Sequence, residues 1–283
     1  MSLQLIAGRS GSGKTTWLYE YMIRESMEHP DQKYMILVPE QFTMETQRMI
    51  TQMHPRHGTM NINVLSFARL AYQIFAELNK EDFVVIDEMG KSVLLQKAVL
   101  RCADKLPVFG RNLKRPGFIS QLKSQLSELI QYGVSNVTLD QAAKKMANNH
   151  MLAGKLKDMS LVYESFQNEL DYNSFTSDQL LIVLADLIWE SKIVEDCIIG
   201  LDGYTGFTPV QYLVIRNLLE FAEKLMVTVT VDPGSPFHGE APSHDLFHLG
   251  RHTVVKLLEL AQRCDIEVEE DVILGGSPRY VPG

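Results

Sequence analysis

Cysteine is scarce in this sequence, and its few copies form no recognisable pattern. Cys102, Cys197 and Cys264 lie far apart, with no Cys-x-x-Cys pair and no histidine at the spacing of a zinc ligand. This excludes a small disulfide scaffold and a zinc-ribbon type of site. We predict reduced thiols in a cytosolic protein.

Long apolar runs and an excess of basic residues are also missing. No run reaches the roughly 18 apolar residues of a membrane span, and the N-terminal residues are typical of a strand and not of a signal peptide. We therefore expect a cytoplasmic location and no membrane partner. The 27 Lys and Arg are outnumbered by 35 Asp and Glu, for a formal charge of −8, so any contact with DNA must be local.

One stretch near the N-terminus has a clear chemical signature. Residues 8–15 read GRSGSGKT, which matches the phosphate-binding pattern G-x-x-x-x-G-K-[ST], between an apolar strand pattern and a helical one. Glycines let successive N–H groups face phosphate oxygens, and the helix presents its positive end to them. The predicted nucleotide-binding residues are Gly8, Arg9, Ser10, Gly11, Ser12, Gly13, Lys14, Thr15 and Thr16.

The residue types of this phosphate loop also predict its cofactors. Lys14 would reach the β- and γ-phosphates of ATP, and the Thr15 hydroxyl would ligate Mg²⁺. An ordinary Gly/Ser loop is the alternative, but the flanking strand and helix favour nucleotide binding.

Strand and helix patterns alternate in much of the remaining chain. The apolar run at 34–38 predicts a buried parallel strand, and the alternating pattern at 61–65 and the apolar runs at 197–201 and 225–231 predict further strands, with helical periodicity between them. The 283 residues are enough for one large domain or two smaller ones. We predict an α/β fold with a doubly wound parallel sheet of the P-loop NTPase (RecA-like) type.

The pattern changes between residues 80 and 195, where helical periodicity dominates. We interpret this region as an all-helical insertion. The predicted domains are a discontinuous P-loop core, residues 1–79 and 196–283, and a helical insertion subdomain, residues 80–195.

A P-loop enzyme also needs an acid at the end of a neighbouring strand, and two candidates exist. Asp87-Glu88 follows the apolar run at 83–86 and has the Asp-Glu pattern, but the same acids would suit the start of a helix. Asp202 follows the strand at 197–201, with Gly203 in place of the glutamate. Asp202 is slightly favoured because a full strand, turn, helix and strand unit continues after it.

Five segments together carry a family resemblance: GRSGSGKT, ILVPEQFT, VLSFARLA, LDGYTGFTPVQ and VTVTVD. The chain resembles the N-terminal region of the B subunit (AddB or RexB type) of bacterial AddAB helicase-nucleases, which are relatives of superfamily 1 helicases. This resemblance covers essentially all of the sequence.

The resemblance implies roles for particular residues. The phosphate loop would be the Walker A motif of a helicase-like core, and Asp202 the Walker B acid that holds Mg²⁺ through water, together with Thr15. Asp232 would be the acid that couples nucleotide to DNA. The rings of Phe42 and Phe67 could stack on bases or pack beneath their helices. The implied candidates for contact with single-stranded DNA are Gln41, Phe42, Thr43, Ser66, Phe67 and Arg69.

Two departures from the family pattern affect the expected activity. Gly203 replaces the Walker B glutamate, and residues 233–236 replace the Gln-rich coupling sequence after Asp232. Without a carboxylate to orient water, hydrolysis of ATP should be slow. We therefore expect a degenerate motor and no catalysis by this chain alone.

The implied protein is the B subunit of a heterodimeric ATP-dependent helicase and exonuclease of double-strand break repair and recombination. Its implied partners are the A subunit and both single-stranded and double-stranded DNA. The chain looks like a fragment, and the absent C-terminal part would carry a nuclease domain with an iron-sulfur cluster. Two alternatives are a free-standing P-loop kinase of a small molecule and a non-catalytic interaction scaffold.

Overall fold

The computed structural model describes residues 1–58, 61–80, 82–113, 115–171 and 173–276. The chain divides into two compact units. The first unit comprises Met1–Leu78, Leu184–Phe207 and Gln211–Gly283, and the second comprises Asn79–Val183 and Thr208–Val210. The assignment of these units to a nucleotide-binding core and an insertion stays a prediction.

Strands and helices alternate along most of the chain. In order they are β1 (Ser2–Gly8), α1 (Lys14–Glu28), β2 (Lys33–Leu37), α2 (Thr43–Met53), β3 (Ile62–Leu65), α3 (Phe67–Glu77), β4 (Val84–Ile86), α4 (Glu88–Cys102), α5 (Phe118–Gln131), α6 (Asn136–Lys145), α7 (His150–Gln167), β5 (Ser174–Thr176), α8 (Leu180–Leu187), β6 (Cys197–Leu201), α9 (Pro209–Phe221), β7 (Lys224–Thr230), α10 (His248–Arg263), β8 (Glu267–Val268) and β9 (Val272–Leu274).

The first unit is built on a seven-stranded sheet in the order β3-β2-β6-β7-β1-β8, with β9 also paired to β1. All the pairings among these strands are parallel. The prediction of an α/β fold with a mostly parallel sheet is therefore confirmed. Because the strands are parallel, the carboxyl ends of β1, β2, β6 and β7 lie along one edge, where ligands gather in such sheets.

The strands of this sheet are apolar for most of their length because the sheet is buried. All five residues of β6 are buried, as are the last four of β2. A hydrophobic cluster joins the sheet to α1 and includes Ile6, Leu18, Met22, Ile36 and Met226, each with no exposed surface. Each such side chain contributes about 1.5–3 kcal/mol by leaving water.

The second unit is not all helical, so that prediction is wrong in one respect. β4 and β5 form a small parallel sheet, with Val85 opposite Phe175. The rings of Phe83 and Phe175 pack edge to face, with their centroids 5.5 Å apart. Each strand has three residues, which is too few for periodicity to identify it, and the two segments meet only through tertiary pairing.

A buried ion pair links several parts of the second unit. The ammonium group of Lys91, on α4, has no exposed surface and donates to the Asp178 carboxylate and to Ser127 on α5. Gln131 donates to the other oxygen of Asp178 at 3.0 Å. Burial raises the pKa of Asp178, but the bonds from Lys91 and Gln131 outweigh burial and hold it below its usual value.

Among the helices that the structure describes, none combines the length and the apolar character of a membrane span.

Candidate nucleotide-binding cleft

The phosphate loop joins the end of β1 to the start of α1. The loop curls tightly: a Cβ atom on Gly8 would lie 2.4 Å from the Ser12 hydroxyl oxygen. Gly13 has a φ of 91° and comes directly before Lys14, the first residue of α1. The free N–H groups of the first turn of α1 therefore face the region around the loop, as anion binding requires.

The ammonium group of Lys14 lies across this loop. It donates to the carbonyl oxygens of Gly8 and Arg9, at 3.0 and 2.9 Å. Burial lowers the pKa of Lys14, and the nearby Asp202 carboxylate opposes that change. A positive charge is thus held at the N-terminal end of α1, where the helix dipole also favours an anion.

The Asp202 carboxylate, directly after β6, is buried beside the loop and accepts three hydroxyl groups. Thr15 and Thr228 donate to Oδ1 at 3.1 and 2.7 Å, and Tyr19 donates to Oδ2 at 3.0 Å. Burial, followed by the charge of Asp202, raises the pKa of Tyr19, so the phenol remains a donor. The structure thus brings together the two residues predicted to hold the metal.

These oxygen donors are suitable for Mg²⁺. The ion takes oxygen ligands, keeps several waters, and uses one or two carboxylates together with phosphate groups. Thr15 supplies a hydroxyl and Asp202 a carboxylate on the same side of the loop. The direct contact of Thr15 and the water-mediated contact of Asp202 with Mg²⁺ stay predictions.

Three residues of this network were not singled out from the sequence. Tyr19 is four residues after Thr15, so both lie on one face of α1, and Tyr19 also bonds Thr46 on α2 at 3.1 Å. Thr228 is a polar residue within the apolar strand β7. Buried polar groups need hydrogen-bond partners. A polar residue at a position that the pattern predicts to be buried is therefore the sequence feature that could have indicated these contacts.

Asp87 has a different role. Its carboxylate accepts the backbone N–H of Gly90 at 2.7 Å and caps the N-terminus of α4, in the second unit. Glu88 is in the first turn of the same helix and pairs with Lys123 at 2.9 Å. The interpretation of this pair as a helix start is the one that the structure supports.

Gly203 has a backbone that suits glycine and not glutamate. Its φ is 78°, a left-handed conformation that costs other residues about 1–2 kcal/mol. A Cβ atom there would be in ordinary contact with Pro39 and Phe42, at 3.5 and 3.7 Å. The position after Asp202 therefore supplies no catalytic carboxylate, and its conformation disfavours one.

A cleft of about 1100 Å³ surrounds the loop and Asp202. Its volume is that of a site for a small-molecule ligand. Of the predicted nucleotide-binding residues, Gly8, Arg9 and Ser12 do not line this cleft. The predicted residues that do line it are Ser10, Gly11, Gly13, Lys14, Thr15, Thr16, Phe42 and Asp202.

The segment after β2 places one predicted DNA contact in this cleft. Phe42 borders it and is 41% exposed. Gln41 is also exposed. Thr43, by contrast, is buried, and its hydroxyl donates to the carbonyl of Glu40 at 2.9 Å. Phe42 and Gln41 are thus accessible to a ligand, whereas Thr43 holds the turn.

The segment after β3 is bound to the same turn through Glu40. Ser66 caps α3 and donates to the Glu40 carboxylate, and Arg69 Nε pairs with that carboxylate at 3.1 Å. The Ser66 hydroxyl, and then Arg69, keep the pKa of Glu40 below its usual value. Phe67 is only 4% exposed and packs on Tyr204, with ring centroids 5.6 Å apart. Its ring is buried and is not available for stacking on a base.

Asp232 connects the phosphate loop to the segment after β7. Arg9 donates to its Oδ1 through Nε and Nη2, at 3.1 and 2.9 Å. The Gly234 N–H donates to the same oxygen at 3.0 Å. The pKa of Asp232 is lowered by the Gly234 N–H and then by Arg9. Arg9 is exposed, and such surface pairs contribute little stability.

Comparison with known families shows which family the chain belongs to. Residues 5–281 match the family model described as ADDB, N-terminal. The chain belongs to the AddB N-terminal family. The match covers the phosphate loop, Asp202 and both segments that contact Glu40, so the features described above lie inside the family region.

Curated relatives of this family member are named as the B subunit of an ATP-dependent helicase/deoxyribonuclease. The protein of Lachnoclostridium phytofermentans is 38% identical over 274 residues, which is 97% of this chain and 24% of the relative. Those of Desulforudis audaxviator and Clostridium tetani are 34% and 32% identical, over 98% and 99% of this chain and 24% of each relative. The chain thus spans about a quarter of the length of these relatives.

Proposed function

We propose that this chain is the ATP-binding, DNA-contacting N-terminal part of the B subunit of a heterodimeric helicase and nuclease. The observation that carries the proposal is the contact between Thr15 and Asp202, 3.1 Å apart beside Lys14. This set of a loop lysine, a hydroxyl and a strand-end acid is what a P-loop NTPase of the RecA-like type uses to hold Mg²⁺ and triphosphate.

In this proposal the first unit binds ATP with Mg²⁺ at the phosphate loop. Lys14 exchanges its bonds to the Gly8 and Arg9 carbonyls for bonds to phosphate oxygens. Mg²⁺ neutralises phosphate charge and is held by the Thr15 hydroxyl and, through water, by Asp202. The network from Asp202 to Tyr19 keeps the acid in position.

The motor activity of the chain is degenerate in this proposal. Catalysis by P-loop enzymes needs a group that orients the attacking water, and Gly203 lacks a side chain at the position next to Asp202. Bound ATP would then have a structural or regulatory role, and other parts of the complex would hydrolyse ATP.

Single-stranded DNA would pass along the turn after β2. Phe42 offers an exposed ring, Gln41 an exposed amide and Arg69 an exposed guanidinium group. Stacking on an aromatic ring contributes about 1–3 kcal/mol per base. Thr43, Ser66 and the buried Phe67 would position these groups and make no direct contact.

The names of the relatives support the wider role. A protein named as a B subunit implies a partner chain, which we propose is the A subunit. The joint substrate would be double-stranded DNA that is unwound and degraded in double-strand break repair and recombination. Work on chromosomal DNA would place the complex in the cytoplasm. An iron-sulfur cluster would belong to parts of the protein outside this sequence.

The test is a titration of the chain with a fluorescent ATP analogue and Mg²⁺, followed by phosphate release with and without single-stranded DNA. Lys14→Ala should abolish binding, and Lys157→Ala, which removes an exposed lysine from the second unit, should not. Unchanged affinity in Lys14→Ala would refute the nucleotide site. Rapid, DNA-stimulated phosphate release by the wild-type chain would refute the degenerate motor.

A further inference from the structure

An aromatic residue of α1 lines the nucleotide cleft, as Phe42 does, and has no role in the phosphate chemistry. Trp17 is on α1, three residues after Lys14, and is one of the residues that line the cleft. Leu274, the last residue of β9, borders the same cleft. Both side chains are partly buried against the hydrophobic cluster beneath α1. The cleft therefore has an apolar wall beside its polar phosphate loop.

The indole is held in place from one side. Its ring stacks on Tyr21, with centroids 5.5 Å apart and an angle of 12° between the planes. The Lys224 ammonium group lies 5.5 Å from the Tyr21 centroid and is itself paired with Glu269 at 2.6 Å. Within the described part of the chain, Tyr21 is the one ring that stacks on Trp17. The spacing of four residues along α1 gives this stack a rigid backing.

We propose that Trp17 is the platform on which the base of the bound nucleoside triphosphate stacks. This inference rests on the proposed function, because it takes the triphosphate to lie at Lys14. Three residues of an α-helix advance about 4.5 Å along its axis. Trp17 therefore lies a short distance from Lys14 and the triphosphate, where we place the ribose and base of the nucleotide. Every base has a flat π-face, so stacking on the indole needs no particular hydrogen bond.

The class of ligand follows from the size of the platform. The two fused rings of a purine overlap an indole more fully than a single pyrimidine ring does, so the ligand is a purine nucleoside triphosphate. Leu274 would contact the edge of the base from β9. Affinity then divides into two parts: the loop binds the triphosphate, and Trp17 binds the base.

This division can be tested with a ligand that lacks the base. Wild type, Trp17→Ala, Trp17→Phe and Lys14→Ala are titrated by calorimetry with Mg²⁺ and either ATP or inorganic tripolyphosphate. Trp17→Ala should weaken ATP binding by about tenfold or more and leave tripolyphosphate binding unchanged. Trp17→Phe should retain most of the ATP affinity, since it keeps a ring. Lys14→Ala should lose both ligands.

A second readout follows the indole directly. The chain has two tryptophans, and Trp189→Phe leaves Trp17 as the single emitter. ATP should quench the Trp17 fluorescence in that background, and tripolyphosphate should not.

The outcomes separate the platform from the nucleotide site itself. If Trp17→Ala binds ATP like wild type while Lys14→Ala does not, the platform is refuted and the nucleotide site stands. If Trp17→Ala loses tripolyphosphate together with ATP, Trp17 shapes the loop and the platform is again refuted. If wild type binds neither ligand, both proposals fail.

Discussion

Asp202 is the residue whose removal should have the clearest combined effect on stability and metal binding. Its carboxylate is 5% exposed and accepts hydroxyl groups from Thr15, Tyr19 and Thr228. A typical hydrogen bond contributes about 1 kcal/mol net, so Asp202→Ala should destabilise the first unit by about 3 kcal/mol. The substitution leaves three polar groups without their acceptor, which makes this figure a lower bound.

Asp202→Asn should behave differently. Its amide oxygen can still accept from Thr15 and Thr228, and Tyr19 can turn its hydroxyl toward Thr46, 3.1 Å away. The bond from Tyr19 is lost and the other two no longer have a charged acceptor, so the cost should be about 1–2 kcal/mol. The amide carries no negative charge, so, if ATP binds with Mg²⁺ as proposed, the contribution of Mg²⁺ to ATP affinity should be smaller than in wild type.

The assay uses the position of the tryptophans. Trp17 and Trp189 both belong to the first unit, so tryptophan fluorescence in a urea titration reports the unfolding of that unit. Asp140→Ala, at an exposed position of α6, is the matched control and should have no effect on this transition. Unfolding of Asp202→Ala at the same urea concentration as wild type would refute the structural role of Asp202, and an unchanged effect of Mg²⁺ on ATP affinity in Asp202→Asn would refute its role at the metal.

Three further predictions concern other parts of the structure. Gly203→Glu should destabilise the first unit by about 1–2 kcal/mol because of the left-handed backbone, without raising phosphate release; a gain in turnover would contradict this expectation. Phe42→Ala should weaken binding of single-stranded DNA about five- to hundredfold at unchanged stability, as measured by fluorescence anisotropy. Phe67→Ala should instead lower the free energy of unfolding by about 3–5 kcal/mol, as measured by urea titration. Equal effects of the two substitutions in both assays would count against an exposed Phe42 and a buried Phe67. Lys91→Met should destabilise the second unit by about 3–5 kcal/mol because it leaves the buried Asp178 carboxylate unpaired, and adding Asp178→Leu should recover much of the loss in circular dichroism melts. The pKa of Asp178 is lowered in the folded chain from its usual 3.8. The stabilisation by this ion pair should therefore be present above pH 3.8 and be lost as the pH falls through the lowered pKa. An acid unfolding transition of the wild type identical to that of the double variant would contradict this expectation.

The sequence by itself determined the features that depend on neighbouring residues. The phosphate loop is a contiguous motif between a strand and a helix, and its conformation depends on glycines within the same eight residues. Strands β2, β3, β6 and β7 were also predictable, to within about one residue at their ends, from apolar runs or an alternating pattern, whereas β9 was not predicted. These features depend on residues close together in the chain, so the spacing of apolar residues predicts them.

Only the tertiary structure showed which residues from distant segments contact one another. Thr15 and Asp202 are 187 residues apart in the chain, and only the parallel order of β1, β7 and β6 brings them into contact. The two aromatic residues after β2 and β3 look alike in sequence, yet Phe42 is exposed and Phe67 is covered by Tyr204. The pairing of β4 with β5 likewise depends on a partner about 90 residues away and interrupts a region that local periodicity describes as helical. Local patterns specify backbone conformation, whereas burial and the choice of partner depend on which segments the fold places side by side.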